Sequence, residues 1–306
     1  MFKNFWKSLP ITLICVSAYA ATTPPAASTT STAKAPAAPA AAGTSTMAAP
    51  APAANPTSFG LVLEAGYEVQ AYQQTNKKTG AKTRSESLSY GFTPSMKFGD
   101  GYKLSSYWEY DQTLTDSTDS GWIDPSVSLS RKAWELGKYI KMGPSATIVL
   151  PMSEDTKNDV NLKFAASGKV TTSLNTANMG LDAFSLSYGL QYTRYFTDYS
   201  TKLGGDPVTQ QRIRQDIHVG YQIIDPLSLD LFFRHDSKYS VEGVVRGGFI
   251  MQQTLEYAIN DSLAVSVSHA NAGATIRKDD QENYQNAIQF DDVKNTTYSV
   301  GMSLSI

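Results

Sequence analysis

FGLVLEAGYEVQAYQ, residues 59–73, sets Phe59, Leu61, Leu63, Ala65, Tyr67, Val69 and Ala71 against Gly60, Val62, Glu64, Gly66, Glu68 and Gln70. The period is two, the side-chain repeat of a strand, and the polar set carries charge. A soluble sandwich also alternates, but its strands average about half this length. A strand this long suits a tilted crossing of a bilayer, where about 9 to 11 residues lie in hydrocarbon. The last residues repeat the parity: Tyr298, Val300, Met302, Leu304 and Ile306 alternate with Ser299, Gly301, Ser303 and Ser305.

Between these two stretches the alternation returns ten times, so the sequence predicts twelve strands. Strand two sets Leu88, Tyr90, Phe92, Pro94, Met96 and Phe98 against Ser87, Ser89, Gly91, Thr93, Ser95 and Lys97, and Gly99-Asp100-Gly101 turns the chain. Strand three sets Tyr102, Leu104, Trp108 and Tyr110 against Lys103, Ser105, Tyr107, Glu109 and Asp111. The rest are expected near 122–133, 145–152, 160–174 and 181–196, on either side of Asp225-Pro226, on either side of Asn260-Asp261, and at the end of the chain. Connections are expected to be compact after strands two, six, eight and ten, and longer and charged after strands one, three, five, seven, nine and eleven. Residues 134–144 are expected to be a charged link, with Glu135, Lys138 and Lys141. Trp122, Tyr192, Phe196, Tyr257 and Tyr298 fall near strand ends, where aromatic rings favour a membrane interface. An even strand number puts both termini on one side, expected to be the periplasm, with the long loops outside. Only a closed barrel satisfies every backbone group in lipid. The fold class predicted is therefore all-β, an antiparallel up-and-down transmembrane β-barrel over residues 58–306.

Ahead of it, residues 1–20 carry Lys3 and Lys7, an apolar run from Ile11 to Val16, and Ala18-Tyr19-Ala20. This is the pattern of a secretory signal peptide cleaved before Ala21. Cys15, the one cysteine, falls inside it, and Leu13 and Ile14 stand where a lipidated cysteine needs small residues. The mature chain then holds no thiol, which excludes disulfide frameworks and cysteine chemistry. Residues 21–57 are nearly all Ala, Pro, Thr and Ser, with Lys34 the one charge, and read as a disordered periplasmic tether. The tether is either a passive spacer or an arm that touches peptidoglycan or a partner. All 28 acidic residues and 23 of the 26 basic ones follow residue 57, a formal charge of −5, which is not the balance of a nucleic-acid binder.

On this pattern residues 58–306 resemble the bacterial outer-membrane β-barrel superfamily of porins and transporters. The final alternation resembles the signal by which the barrel-assembly machinery recognises such chains, although Ile306 stands where the family usually has an aromatic residue. Gly121-Trp122-Ile123-Asp124-Pro125-Ser126 and Ala146-Thr147-Ile148-Val149-Leu150-Pro151 resemble the Gly-Asp and Leu-Pro segments of outer-membrane transporters for aromatic and other hydrophobic compounds. A larger fourteen-strand kind of these carries an N-terminal hatch, which residues 21–57 cannot supply. The resemblance implies an outer membrane of a Gram-negative cell, with lipid and lipopolysaccharide as surroundings.

Twelve strands enclose a lumen wider than the filled interior of eight and narrower than a sixteen-strand channel, so its contents decide whether it conducts. By parity Glu64, Glu68, Glu109 and Asp111 face inward on one wall, and Arg212, Arg214, Arg234 and Arg246 on another. Opposed charges across a pore select among polar solutes, which predicts passive diffusion of small polar molecules. The alternative is that these groups pair locally, through Asp216, Asp230 or Glu256, and plug the lumen of a structural or adhesive barrel. His235-Asp236-Ser237 is the one hydrolase-like cluster near the rim. Adjacent strand residues point to opposite faces, so Asp236 cannot orient His235, and the chain is not expected to be an enzyme. His218 and His269 are isolated, and neither a metal site nor a cofactor is expected. The loop acids Glu154, Asp155, Asp159, Asp279, Asp280, Glu282, Asp291 and Asp292 fit a solvated rim, cation bridges to lipopolysaccharide, or adhesion.

Overall fold

The computed structural model describes residues 57–72, 74–75, 82–115, 120–202, 205, 207–278, 284–286, 288 and 295–306. The expected leader, nearly all of the tether, and Asp279, Asp280, Glu282, Asp291 and Asp292 lie outside the described residues. Among the described residues twelve long strands alternate up and down: β1 Ser58–Gln70, β2 Glu86–Phe98, β3 Tyr102–Thr113, β4 Ser126–Arg131, β5 Ile140–Val149 and β6 Leu162–Leu174. The second half holds β7 Phe184–Thr197, β8 Thr209–Ile224, β9 Leu227–Ser240, β10 Val245–Ala258, β11 Leu263–Ala274 and β12 Thr296–Ser305. Each pairs antiparallel with its chain neighbours, and β12 pairs with β1 from Val62 opposite Ser305 to Gln70 opposite Thr297. The sheet is thereby a closed barrel with both ends of the strand series at one rim.

The apolar parity points outward, as the alternation requires. Leu63, Tyr90, Leu129, Ile148, Leu190, Leu255, Val300 and Met302 are all exposed on the outer face. Rings gather near both margins. Phe98 stacks on Tyr102 and Phe184 tilts against Tyr221 at the terminal rim. At the loop rim Phe164 stacks on Phe196, and Trp122 meets Trp108 and Tyr110 edge-on.

Two connections differ from the expectation. The stretch 134–144 is not a charged link: Trp134–Leu136 is a strand segment continuing β4, β5 begins at Ile140 rather than Ser145, and the turn between them is only 137–139, with Gly137 at φ +73°. Trp134 opposes Met142 and Leu136 opposes Ile140, an apolar outer face, while Glu135 opposes Lys141 on the inner face. Glu135 and Lys141 are the lumen side of a hairpin, and Lys138 sits in its turn. After β9 the chain turns in four residues, 241–244, through Gly243 at φ +76°, so this connection is compact rather than long.

β4 is also interrupted. Gly121–Trp122 pairs with β3, and the chain then breaks at Ile123-Asp124-Pro125 before Ser126. The Asp124 carboxylate accepts hydrogen bonds from the Met152 and Ser153 amides, each at 2.8 Å, and from Thr156 Oγ1 at 2.7 Å. The two segments that carry the transporter resemblance thus meet, and Asp124 ties the loop after β5 to the break. Of the acids in that loop, Glu154 is exposed.

Candidate functional site

Register turns the parity into rows across the lumen wall. On β1, β2 and β3 the rows are Glu68–Ser87–Thr113, Gly66–Ser89–Asp111 and Glu64–Gly91–Glu109. Glu64, Glu68, Glu109 and Asp111 therefore share one inner face, separated by small residues, and no lysine or arginine stands in those rows. Tyr107 Oη donates to Glu109 Oε2 at 2.7 Å, and Glu109 is 4% exposed. Glu64 lies across Gly91, where an added Cβ would stand 3.3 Å from Glu64 Oε2. Glu256 joins Glu64, Tyr107, Glu109, Ser89 and Ser266 around a recess on this side.

On β8, β9 and β10 the rows run from the loop rim inward as Arg212–Lys238–Arg246, Arg214–Asp236–Gly248, Asp216–Arg234–Ile250 and His218–Phe232–Gln252. All four expected arginines face the lumen on this side. The structure adds what parity alone left undecided, namely their partners. Arg214 Nε donates to Asp236 Oδ1 at 2.9 Å, Arg234 Nε to Asp216 Oδ1 at 2.8 Å, and Arg212 Nε lies 3.9 Å from Asp236. Lys169 Nζ on β6 reaches over β7 to Asp216 Oδ2 at 2.8 Å. It passes above Gly189, where an added Cβ would stand 2.7 Å from Lys169 Cε. Asp216 is 1% exposed and Arg234 5%.

Sequence reasoning missed Lys169 and Lys238 as lumen cations, although both lie on the inward parity of their strands, Lys169 with Ser167 and Thr171, and Lys238 with Arg234. With them the wall formed by β6 and β8 to β10 holds six cations, Lys169, Arg212, Arg214, Arg234, Lys238 and Arg246, against four inward carboxylates, Asp216, Asp230, Asp236 and Glu256. This wall of excess cations faces the four carboxylates of β1 to β3, whose inner face carries Lys97 and Lys103 only toward the terminal rim. Five strand steps one way and seven the other separate β9 from β2, so the two walls are nearly opposite.

The hydrolase-like cluster splits as parity requires. Asp236 points inward to Arg214, while His235 lies outward opposite Gln215 and Phe249, with Ser237 outward beside it. His218 faces the lumen against the Phe232 ring, with centroids 4.5 Å apart.

No family model matches the chain, and no curated protein matches it. Solved structures do. The NanC porin is 14% identical over 80% of this chain and 98% of its own, with a TM-score of 0.50. The COG4313 outer membrane channel from Pseudomonas putida F1 is 9% identical over 81% of this chain and 95% of its own, with a TM-score of 0.54. The chain therefore has the fold of bacterial outer-membrane β-barrels: a closed, antiparallel, twelve-strand wall.

Proposed function

We propose that the chain is an outer-membrane channel that passes small polar solutes by passive diffusion, with selectivity from oppositely charged lumen walls. One observation carries the reading: the rows of carboxylates on β1 to β3 face, across the barrel, a wall on which cations outnumber carboxylates. Wall charge of this kind orients dipolar solutes and discriminates between ions. Serine and glycine fill much of the remaining inner face and leave space. The fold shared with a porin and a channel supports the same reading. In this reading residues 1–20 direct export, the termini lie in the periplasm and the longer loops face outward. Residues 21–57 tether the barrel near peptidoglycan, and the β12 alternation engages the assembly machinery.

A second reading has its own support. Asp216, Arg234, Arg214 and Asp236 form a buried network, and a barrel filled by such networks serves adhesion or envelope structure instead. Single-channel conductance of the refolded protein in a planar bilayer separates the two, beside a triple variant Arg212→Gln, Lys238→Gln, Arg246→Gln. Those three side chains form the row that contains no carboxylate, so the variant leaves the Arg234–Asp216 and Arg214–Asp236 hydrogen bonds in place. Stable current steps that become more cation-selective in the variant are the expected result. Folded barrels that pass no current would overturn the channel reading.

A further inference from the structure

The outer face of the barrel is chemically uneven around its circumference. Between the aromatic margins, the outward rows of β1 to β7 carry one amide, imidazole or charged side chain among the described residues, Arg194, which lies beside Phe196 at the loop rim. Ser106, which does face outward, accepts from Trp108 Nε1 at 2.8 Å and donates to the Ser126 carbonyl at 3.1 Å. On β8 to β11 the outward rows are different. Gln215 lies between Ile213 and Ile217, Gln253 between Met251 and Leu255, and His235 and His269 follow Phe233 and Val267. Register sets them side by side as two cross-strand pairs, Gln215 opposite His235 and Gln253 opposite His269.

Both glutamines are exposed and both histidines are half-buried. His269 leans on the Tyr298 ring at 5.3 Å, and none of the four makes a side-chain hydrogen bond among the described residues. Lipid tails offer Gln215, His235 and Gln253 no partner, and an unpaired amide or imidazole in hydrocarbon is costly, while His269 sits against Tyr298 nearer the aromatic margin.

We propose that the outer face of β8 to β11 is an interface with a second copy of this chain, forming a two-fold dimer about an axis normal to the membrane. Glutamine and neutral histidine each offer a donor and an acceptor, so the patch is complementary to itself. A ring would join this face to a different one, and below the loop rim, where Arg194 stands, the outer faces of β1 to β7 would meet it with apolar side chains. Apposing like faces is the arrangement that pairs the amides and imidazoles, as polar groups do between membrane-embedded elements. The inference uses only the outward side of the wall and stands apart from whether the lumen conducts.

Single cysteines beside the patch test it without removing the polar groups: Leu255→Cys and Ile217→Cys, with Val170→Cys and Leu186→Cys as controls on the apolar face. All four native side chains are exposed. The full chain is expressed in the outer membrane and oxidised, and the unsubstituted chain controls for Cys15. The expected result is a dimer-mass band from the first two variants only, and a two-copy mass for the unsubstituted protein in nanodiscs. A combined variant, Gln215→Leu, His235→Phe, Gln253→Leu and His269→Phe, is expected to raise the monomer fraction at least tenfold while the barrel stays folded by its heat-dependent gel mobility. Should that variant not fold, the cysteine and mass measurements decide alone. A one-copy mass with control-level cross-linking overturns the proposal. So does a three-copy mass, or a cross-link to a different polypeptide.

Discussion

The carboxylates of the β1 to β3 wall and the ionised groups of the β8 to β10 wall are held in different ways. On the first, four carboxylates are spaced by glycine and serine, and the tyrosine hydroxyl of Tyr107 bonds one of them. On the second, Asp216 and Asp236 bind cations from neighbouring strands and, through Lys169, from two strands away. A charge fixed to a protein partner stiffens the wall but acts weakly on a passing solute. The difference teaches that carboxylates that look alike in the sequence are held by neighbouring cations on one side of this lumen and spaced by small residues on the other.

Removing Asp216 should give the largest effect. Asp216→Ala leaves Arg234 and Lys169 without their shared acceptor, and breaking a buried pair from one side costs about 3–5 kcal/mol. Denaturant unfolding of the vesicle-embedded barrel measures it. Glu109→Gln on the other wall should change stability by less than about 1 kcal/mol, because no cation is orphaned. Equal losses from the two variants would break the comparison. Next in size, neutralising the acidic wall with Glu64→Gln, Glu68→Gln, Glu109→Gln and Asp111→Asn should shift reversal potentials under a salt gradient severalfold toward anions. A smaller effect is expected of Gly189→Ala. Its methyl would displace Lys169, while Asp216 keeps Arg234, for a loss of about 1 kcal/mol in the same unfolding measurement. Gly91→Ala, which only nudges the Glu64 carboxylate, should cost less, and a reversed order would show that Lys169 does not brace the wall.

Alternation made the barrel legible because a strand with lipid on one side and a lumen on the other has two chemically distinct faces at period two. Where both faces were plain, as on β1 and β12, the sequence located the strand to within a few residues. It fails at 134–144 because Glu135 and Lys141 read as loop charges until they are sorted by parity. It also took the connection after β9 for a long loop, where a glycine with positive φ closes it in four residues. The eight lumen residues were readable from parity alone. Their partners were not, because pairing depends on register: Lys169 and Asp216 are separated by 47 positions and by an intervening strand whose glycine makes room. The polar outer patch is a similar case, since Gln215 and His235 become neighbours only once β8 and β9 are aligned.

The seam between β12 and β1 has a kinetic consequence. Every other junction in the wall joins strands adjacent in sequence, which can form as hairpins and zip together in order. The seam joins Val62 to Ser305, from opposite ends of the barrel, and loop-closure entropy grows by about 0.6 kcal/mol with each doubling of the intervening length. Folding dominated by such a contact is slow, and until it forms two strands present open edges able to pair with other chains. The slow step of assembly, and the period of greatest exposure to aggregation, therefore belongs to the meeting of Glu64 and Glu68 with Ser303 and Ser299. The acidic half of the lumen is completed last, on the edge that must wait for its partner.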